Sequence, residues 1–299
     1  MISIYVNKQF FFKNFIEKIL TLFFNSKRKN LGPSSVLVNL IDGFNNHNIK
    51  FNVNPSIKNV YKVCLVISGI DNLKKCIYFK KNKKIKTLLA GPNLVTIPSE
   101  YNYIIFSKYI DKILVPSNWV KNIYISYKKK CKNISIWFSG IESSNFKNTS
   151  RKIVLIYLKN KNIYFDKCIN YLTKKKINFK VIRYGFFSKQ KYYELLKNTK
   201  ILIYFSITES QGLAMQEAWS MNVPTLVYKY SLFIHEKKKF KGSSSPYLNN
   251  NCGFFFKDFE DFTIKFKKLN NKRLSPQKWL NENMSQDNSI KKLFEIINK

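Results

Sequence analysis

Two stretches of the chain, Ile153–Leu158 (IVLIYL) and Ile201–Phe205 (ILIYF), are apolar or aromatic at every position. A strand with one wet face alternates apolar and polar residues, because successive side chains point to opposite sides. A strand without that alternation is buried on both faces, and sheets of such strands are parallel and covered by helices on both sides. Helix-like stretches separate the apolar runs, so the chain reads as repeated strand–helix units with right-handed crossovers.

In the second half the expected elements are strands at Ile153–Leu158, Lys180–Arg183, Ile201–Phe205 and Val223–Tyr228. Helices are expected between them at Phe165–Lys175, Lys189–Asn198 and Gly212–Met221. In the first half, strands are expected at Ile2–Val6, Lys50–Val53, Lys62–Ser68, Thr87–Leu89, Lys112–Val115 and Ile134–Phe138. Gly32, Pro33 and Ser34 open a helix at Ser34–Phe44, with proline near the start, where its missing N–H costs little. Ser117 or Asn118 is expected to cap a second helix at Asn118–Tyr127. The polar run Glu142–Arg151 (ESSNFKNTSR) is the best linker, and it divides the 299 residues near their midpoint. The reading is therefore two α/β domains, 1–147 and 148–299, each of ordinary domain size. The last 25 residues read as one or two helices, the final one able to cross back to the first domain.

Composition narrows the partners. The 53 Lys and Arg against 17 Asp and Glu give a formal charge of +36, a balance that suggests nucleic acid or an anionic membrane. Arginine, the preferred reader of phosphates and guanine edges, occurs only at Arg28, Arg151, Arg183 and Arg273. The abundance of Lys, Asn, Ile, Phe and Tyr matches A+T-rich coding instead, so no specific nucleic-acid partner is expected; a basic nucleic-acid-binding protein with stacking aromatics is the rival reading. The five cysteines, Cys64, Cys76, Cys131, Cys168 and Cys252, include no C-x-x-C pair, and only His47 and His235 are available for a histidine site. No metal site, redox motif or disulfide framework is expected, and a reducing, cytoplasmic setting fits.

The segment Phe10–Phe24 is interrupted by Lys13, Glu17 and Lys18, short of the ~18 uninterrupted apolar residues that mark a membrane span. Phe11, Phe15, Ile19 and Leu22 make one helical face. It reads as a core helix or, with Lys27, Arg28 and Lys29 beside it, as a weak peripheral contact with the inner membrane face.

The chemistry-bearing stretch is Ile201–Tyr228, ILIYFSITESQGLAMQEAWSMNVPTLVY. A polar loop, Ser206–Gln211, leaves the carboxyl end of a strand, and a helix begins near Gly212. Ligands of open α/β sheets bind beyond the carboxyl ends of the strands. A helix start there offers unpaired N–H groups and partial positive charge, which suit a phosphate, and a glycine lets the phosphate approach the backbone. Glu209 in the loop and Glu217 on the helix are placed to accept paired hydrogen bonds from sugar hydroxyls on either side of a diphosphate. Blander readings stand beside this one: Ser206–Glu209 fits a helix capping box, and Glu217 fits a solvated helix carboxylate.

Glu209 and Glu217, with Gly212-Leu213-Ala214 between them and Val223-Pro224 after, resemble the signature of family-4 retaining glycosyltransferases of the GT-B type. Gly32-Pro33-Ser34-Ser35, Val115-Pro116-Ser117-Asn118-Trp119-Val120 and Gly140-Ile141-Glu142 resemble that family's first-domain loops. The resemblance implies two Rossmann-like domains with parallel sheets facing a central cleft. It further implies a metal-independent transfer, with retention, from a nucleotide-diphosphate sugar to a glycan or lipid acceptor, and no cofactor. Carried over, Glu217 binds the ribose and Glu209 contacts the transferred sugar. The backbone at Ser210, Gln211, Gly212 and Leu213 holds the diphosphate. Lys159, with Lys161 in reserve, and Arg183, just before Tyr184-Gly185, are the basic residues expected to stabilise the leaving group. A non-catalytic nucleotide-sugar-binding module is the alternative within the same resemblance.

Overall fold

The computed structural model describes residues 1–7, 32–129, 133–142 and 151–299. The aromatic segment Phe10–Phe24, the basic residues 27–29 and most of the expected linker, residues 143–150, lie outside the described residues. The chain forms two compact units, the first including residues 32–140 and 286–299 and the second residues 141–285.

The first unit carries a six-stranded parallel sheet in the order β2-β1-β3-β4-β5-β6. The strands are β1 (Ile2–Tyr5), β2 (Phe51–Val53), β3 (Val63–Ser68), β4 (Thr87–Asn93), β5 (Lys112–Val115) and β6 (Ile134–Ile136). Helices α1 (Gly32–Asn46), α2 (Ile70–Lys81) and α3 (Asn118–Tyr127) supply the crossovers. α2 has no counterpart in the expected elements, because Asn72, Lys74 and Lys75 dilute its apolar face. It nevertheless buries Leu73, Cys76 and Phe79 at a helical spacing against Val66, Leu88 and Ala90. α3 follows its expected limits, but Ser117 at its N-cap makes no side-chain capping bond.

The second unit carries a five-stranded parallel sheet in the order β13-β10-β9-β7-β8. Its strands are β7 (Ile153–Leu158), β8 (Phe179–Arg183), β9 (Thr199–Phe205), β10 (Thr225–Tyr228) and β13 (Gly253–Phe256). The fully apolar runs become β7 and β9, adjacent at the centre with Tyr157 opposite Tyr204. Val154, Ile156, Ile203 and Phe205 on one face pack with Cys168 and Leu172 of α4 (Phe165–Lys174) and Phe262 and Phe266 of α7 (Phe259–Asn271). On the other face Tyr157 stacks on Tyr204, with centroids 4.7 Å apart, and meets Tyr192 of α5 (Lys189–Lys197) edge-on at 5.7 Å. α6 (Leu213–Ser220) lies between β9 and β10 in sequence, and α8 (Pro276–Asn283) packs on it through Trp279 against Trp219.

The connection from β10 to β13 carries no helix. It forms a two-stranded hairpin, β11 (Leu232–His235) and β12 (Lys238–Lys241), followed by the serine run 243–245. Lys237, in the turn, and Lys238 and Lys239, on β12, are all exposed.

The last helix, α9 (Gln286–Asn298), belongs to the first unit, where it lies along α1. Gly43 of α1 makes this approach possible: a side chain there would meet Ile290 Cδ1 at 2.9 Å. The Trp137 indole donates to the Ser289 carbonyl at 3.1 Å, and His47 reaches Asp287 at 2.9 Å.

Candidate active site

Strand order places the site before any side chain is considered. From β7 the chain steps outward to β8, then returns to β9 on the other side of β7 and continues to β10 and β13. The direction of winding thus reverses between β7 and β9, and the crevice beyond the carboxyl ends of such a pair is the ligand position of open parallel sheets. Lys159 follows β7, and the loop carrying Glu209 follows β9. Their backbones are joined there: the Lys159 N–H donates to the Phe205 carbonyl at 2.9 Å, and the Asn160 side chain accepts from Ile207 N–H at 3.1 Å.

Glu209 is 9% exposed, and three donors converge on its Oε1: Lys159 Nζ at 2.8 Å, Tyr204 Oη at 2.9 Å and Ser206 Oγ at 2.9 Å. Such convergence is what a buried carboxylate requires, since an unpaired charge out of water is far too costly. Burial, then the nearby Glu209 charge, holds the Tyr204 hydroxyl well above its ordinary range, so it stays a proton donor. The capping-box alternative fails on geometry. Ser206 bonds the Glu209 carboxylate rather than a helix amide, and the helix starts later, at Leu213.

The N-cap of α6 is Gly212, in the left-handed region at φ 88°, with no side-chain cap. A β-carbon there would meet Met215 Cε at 2.7 Å and Glu209 Cβ at 3.8 Å, so the carboxylate residue sits directly beside the helix start. A helix supplies no carbonyl a turn earlier for its first amides, here those of Leu213 and Ala214, whereas the Met215 N–H donates to the Gly212 carbonyl at 3.1 Å. Ser210 is exposed, Leu213 half-buried, and Gln211 buried, its side-chain amide bonded to Gln216 Oε1 at 2.8 Å.

Glu217 lies on the same helix, 7% exposed, and pairs with Lys189 Nζ at 3.0 Å. It is not the solvated helix carboxylate of the blander reading. Lys189 is the first residue of α5, whose N-cap Ser188 accepts from the Lys191 N–H at 3.1 Å. The hydroxyl of Tyr192 on α5 donates to the Ala214 carbonyl at 2.7 Å, fixing α5 to the first turn of α6. Burial and the Glu217 charge raise Tyr192 and Tyr193 and keep both neutral. A cavity of about 450 Å³ opens beside this pair, lined by Lys189, Gln190, Tyr193, Glu194 and Lys197.

Arg183 is exposed at the end of β8, in register with Leu158 and therefore one residue from Lys159; Gly185 lies in the turn that follows. Lys161 is exposed. Gly32, Pro33 and Ser34 are the first residues of α1 in the other unit, and Ser34 is buried.

Several residues of this arrangement carried no mark in the sequence reading. Lys189 is one lysine among many. Tyr204 was absorbed into an apolar strand, although a tyrosine at a doubly buried position signals a needed partner for its hydroxyl. The serine run 243–245 also packs against these residues: the Ser243 carbonyl accepts from the Glu209 N–H at 2.8 Å, and Ser244, fully buried, donates to the Tyr228 carbonyl at 2.7 Å.

A larger recess of about 540 Å³ lies at the opposite, amino ends of β9 and β10, lined by residues including Arg151, Lys200 and Arg273. There the Arg151 guanidinium binds the Met221 and Asn222 carbonyls just beyond α6, a helix-capping role. Among the described residues no group of three His, Cys, Asp or Glu could hold a metal ion, and no helix is long and apolar enough to cross a membrane.

No protein-family profile matches the sequence, and no curated protein matches it. Solved structures do match. The lipopolysaccharide outer core galactosyltransferase WaaB superposes with a TM-score of 0.60 at 13% identity, covering 99% of both chains. Anabaena HepE in complex with UDP superposes at 0.63 and 8% identity, again over 99% of both chains. The pneumococcal O-GlcNAc transferase GtfA, solved with UDP and GlcNAc, superposes at 0.51 over 81% of this chain and 59% of its own. At such identities the likeness speaks to backbone architecture. Two units, each a parallel sheet clad in helices, give this chain the fold of the GT-B glycosyltransferases.

Proposed function

We propose that the chain is a glycosyltransferase that takes a sugar from a nucleotide-diphosphate donor and passes it to a glycan or lipid acceptor. The observation that carries this reading is the pair of buried carboxylates, Glu209 and Glu217, flanking the glycine-started helix at the winding reversal of a parallel sheet. Glu217 accepts the ribose hydroxyls and Glu209 those of the transferred sugar. The amides at Gly212 and Leu213 receive the diphosphate. Lys159, fixed at the strand end by its bond to Glu209, and Arg183 neutralise the charge that develops on the leaving diphosphate. That is electrostatic preorganisation, and it requires no metal ion. On this reading the chain is a family-4-like enzyme that retains anomeric configuration, with attack and departure on the same face of the sugar.

The neighbours solved with UDP make uridine diphosphate the first donor fragment to test. UDP at a hundred times its Kd stabilises the binding state by about 2.7 kcal/mol, and the resulting rise in Tm is expected to persist in EDTA. The Glu217→Gln protein should lose the rise while keeping the wild-type circular dichroism spectrum. If none of the common nucleoside diphosphates raises Tm, the reading is wrong. If EDTA abolishes the effect, its metal-independent part is wrong.

A further inference from the structure

We infer that the hairpin β11–β12 is a docking surface for an anionic lipid bilayer, set beside the candidate active site. The cross-strand register pairs Leu232 with Lys241 and Ile234 with Lys239. Directly opposed residues share a face and alternate residues change face, so Leu232, Ile234, Lys239 and Lys241 stand together on one side. Phe233, His235 and Phe240 occupy the other side, half-buried, with the Phe233 and Phe240 rings 6.1 Å apart, and Lys238, paired with His235, is exposed at its end nearest the turn. The aromatic side is thus the less exposed of the two, and the side with Leu232, Ile234, Lys239 and Lys241 is exposed at all four positions. There Leu232 is 36% and Ile234 54% exposed.

Two exposed aliphatic side chains here face two lysines directly across the strands, so apolar surface and positive charge occupy one face together. An apolar stripe with cations beside it suits the boundary between lipid tails and anionic headgroups, because lysine stems lie along apolar surface while the ammonium stays in water. The turn, Glu236 and Lys237, both at positive φ, adds a further lysine at the tip, and Glu236 is the only acid between Leu232 and Lys241. Charge complementarity thus selects an anionic surface. Each lysine brought near such a surface is worth roughly fivefold in partitioning.

The hairpin also leads directly into the site. A β-carbon on Gly242 would lie 2.9 Å from Thr208 Cγ2, and the next residue, Ser243, accepts the Glu209 N–H at 2.8 Å. A bilayer held at this hairpin lies against the loop that carries Glu209. The proposal concerns membrane attachment and does not depend on what is transferred.

The test is flotation of the full chain with vesicles of phosphatidylcholine and of an equal mixture of phosphatidylcholine and phosphatidylglycerol. Wild type is expected to float with the mixed vesicles only. Lys237→Gln/Lys239→Gln/Lys241→Gln should lose roughly a hundredfold in partitioning, three lysines at the fivefold each above. Leu232→Ser/Ile234→Ser should lose at least about tenfold, since it removes two insertable side chains without touching charge. Lys174→Gln/Lys175→Gln, which removes exposed lysines elsewhere in the same unit, should float like wild type. The inference is overturned if the hairpin variants float as wild type does, if the control variant loses as much as they do, or if wild type binds neither vesicle. A lipid-free dimer that Leu232→Ser/Ile234→Ser dissolves would also overturn it, in favour of a second copy of the chain.

Discussion

Replacing Glu209 with alanine provides a stringent test of the site, because its effect depends on the tyrosine beneath it. In the wild type the Tyr204 hydroxyl, on a residue 1% exposed, donates to Glu209 Oε1 at 2.9 Å. Removing the carboxylate leaves that hydroxyl buried without its acceptor, a loss of about 1–3 kcal/mol. Lys159 adds little, because its side chain is 27% exposed and can turn to water. Ser206 keeps its 3.4 Å contact with the Thr208 carbonyl. With a small term for the vacated volume, Glu209→Ala should cost about 2–4 kcal/mol, or roughly 5–15 °C in Tm for a unit of this size. Glu209→Gln keeps an acceptor and should cost about 1 kcal/mol, the difference between a charged and a neutral hydrogen bond. The decisive comparison is Tyr204→Phe. Alone it should destabilise by about 1–2 kcal/mol; in the Glu209→Ala background it should be neutral or stabilising, since it removes the stranded hydroxyl. Urea unfolding followed by circular dichroism gives this cycle directly, with an expected coupling of about 1–3 kcal/mol. Equal cost of Tyr204→Phe in both backgrounds would refute the bond and the preorganised carboxylate with it.

Gly212→Ala forces a β-carbon into the left-handed region and against Met215, so it should cost about 1–2 kcal/mol and weaken nucleoside diphosphate binding measured by calorimetry; unchanged affinity would remove the helix start from the site. A β-carbon on Gly253 (φ 150°) would overlap the Thr225 carbonyl oxygen on the adjacent strand. Gly253→Ala should therefore lower Tm more than Gly212→Ala, and a near-wild-type Tm would contradict the pairing of β10 with β13. Burial, followed by the Glu209 charge, raises Tyr157 and Tyr204 above their ordinary values, Glu217 adding to the effect on Tyr157, and burial with Glu217 does the same for Tyr192. The folded state holds these protons more tightly, so the stabilisation is complete below the ordinary tyrosine value near pH 10 and declines as pH rises beyond it. The decline is about 1.4 kcal/mol per pH unit for each group. Urea midpoints should hold from pH 7 to about 9 and fall above about 10, and Tyr204→Phe should flatten the fall; a slope that Tyr204→Phe leaves unaltered would show that this hydroxyl titrates normally.

Most of the fold could be read from residue pattern, because a doubly buried parallel strand leaves an unmistakable mark. β7 appears between its expected limits, and β9 extends the expected run by two residues, Thr199 and Lys200, at its start. Elements whose burial is one-sided left weaker marks. α2, α7 and the hairpin were missed, since lysine and asparagine crowd their surfaces and blur the period. β13, GFFF, is too short to announce itself without the partner strand that shapes it.

The positions of Glu209, Gly212 and Glu217 were evident from sequence alone, because their spacing is local: a loop and a helix turn separate them. What holds them was not. Lys189 reaches Glu217 from a helix that begins 28 residues earlier in the chain, Lys159 meets Glu209 only once two strands lie side by side, and the Ser243 carbonyl arrives through the hairpin connection. Local pattern determines which residues can form a strand end or a helix start. Which distant lysine, hydroxyl or carbonyl satisfies a buried carboxylate is decided by packing, because that choice depends on distances through space that no spacing along the chain encodes.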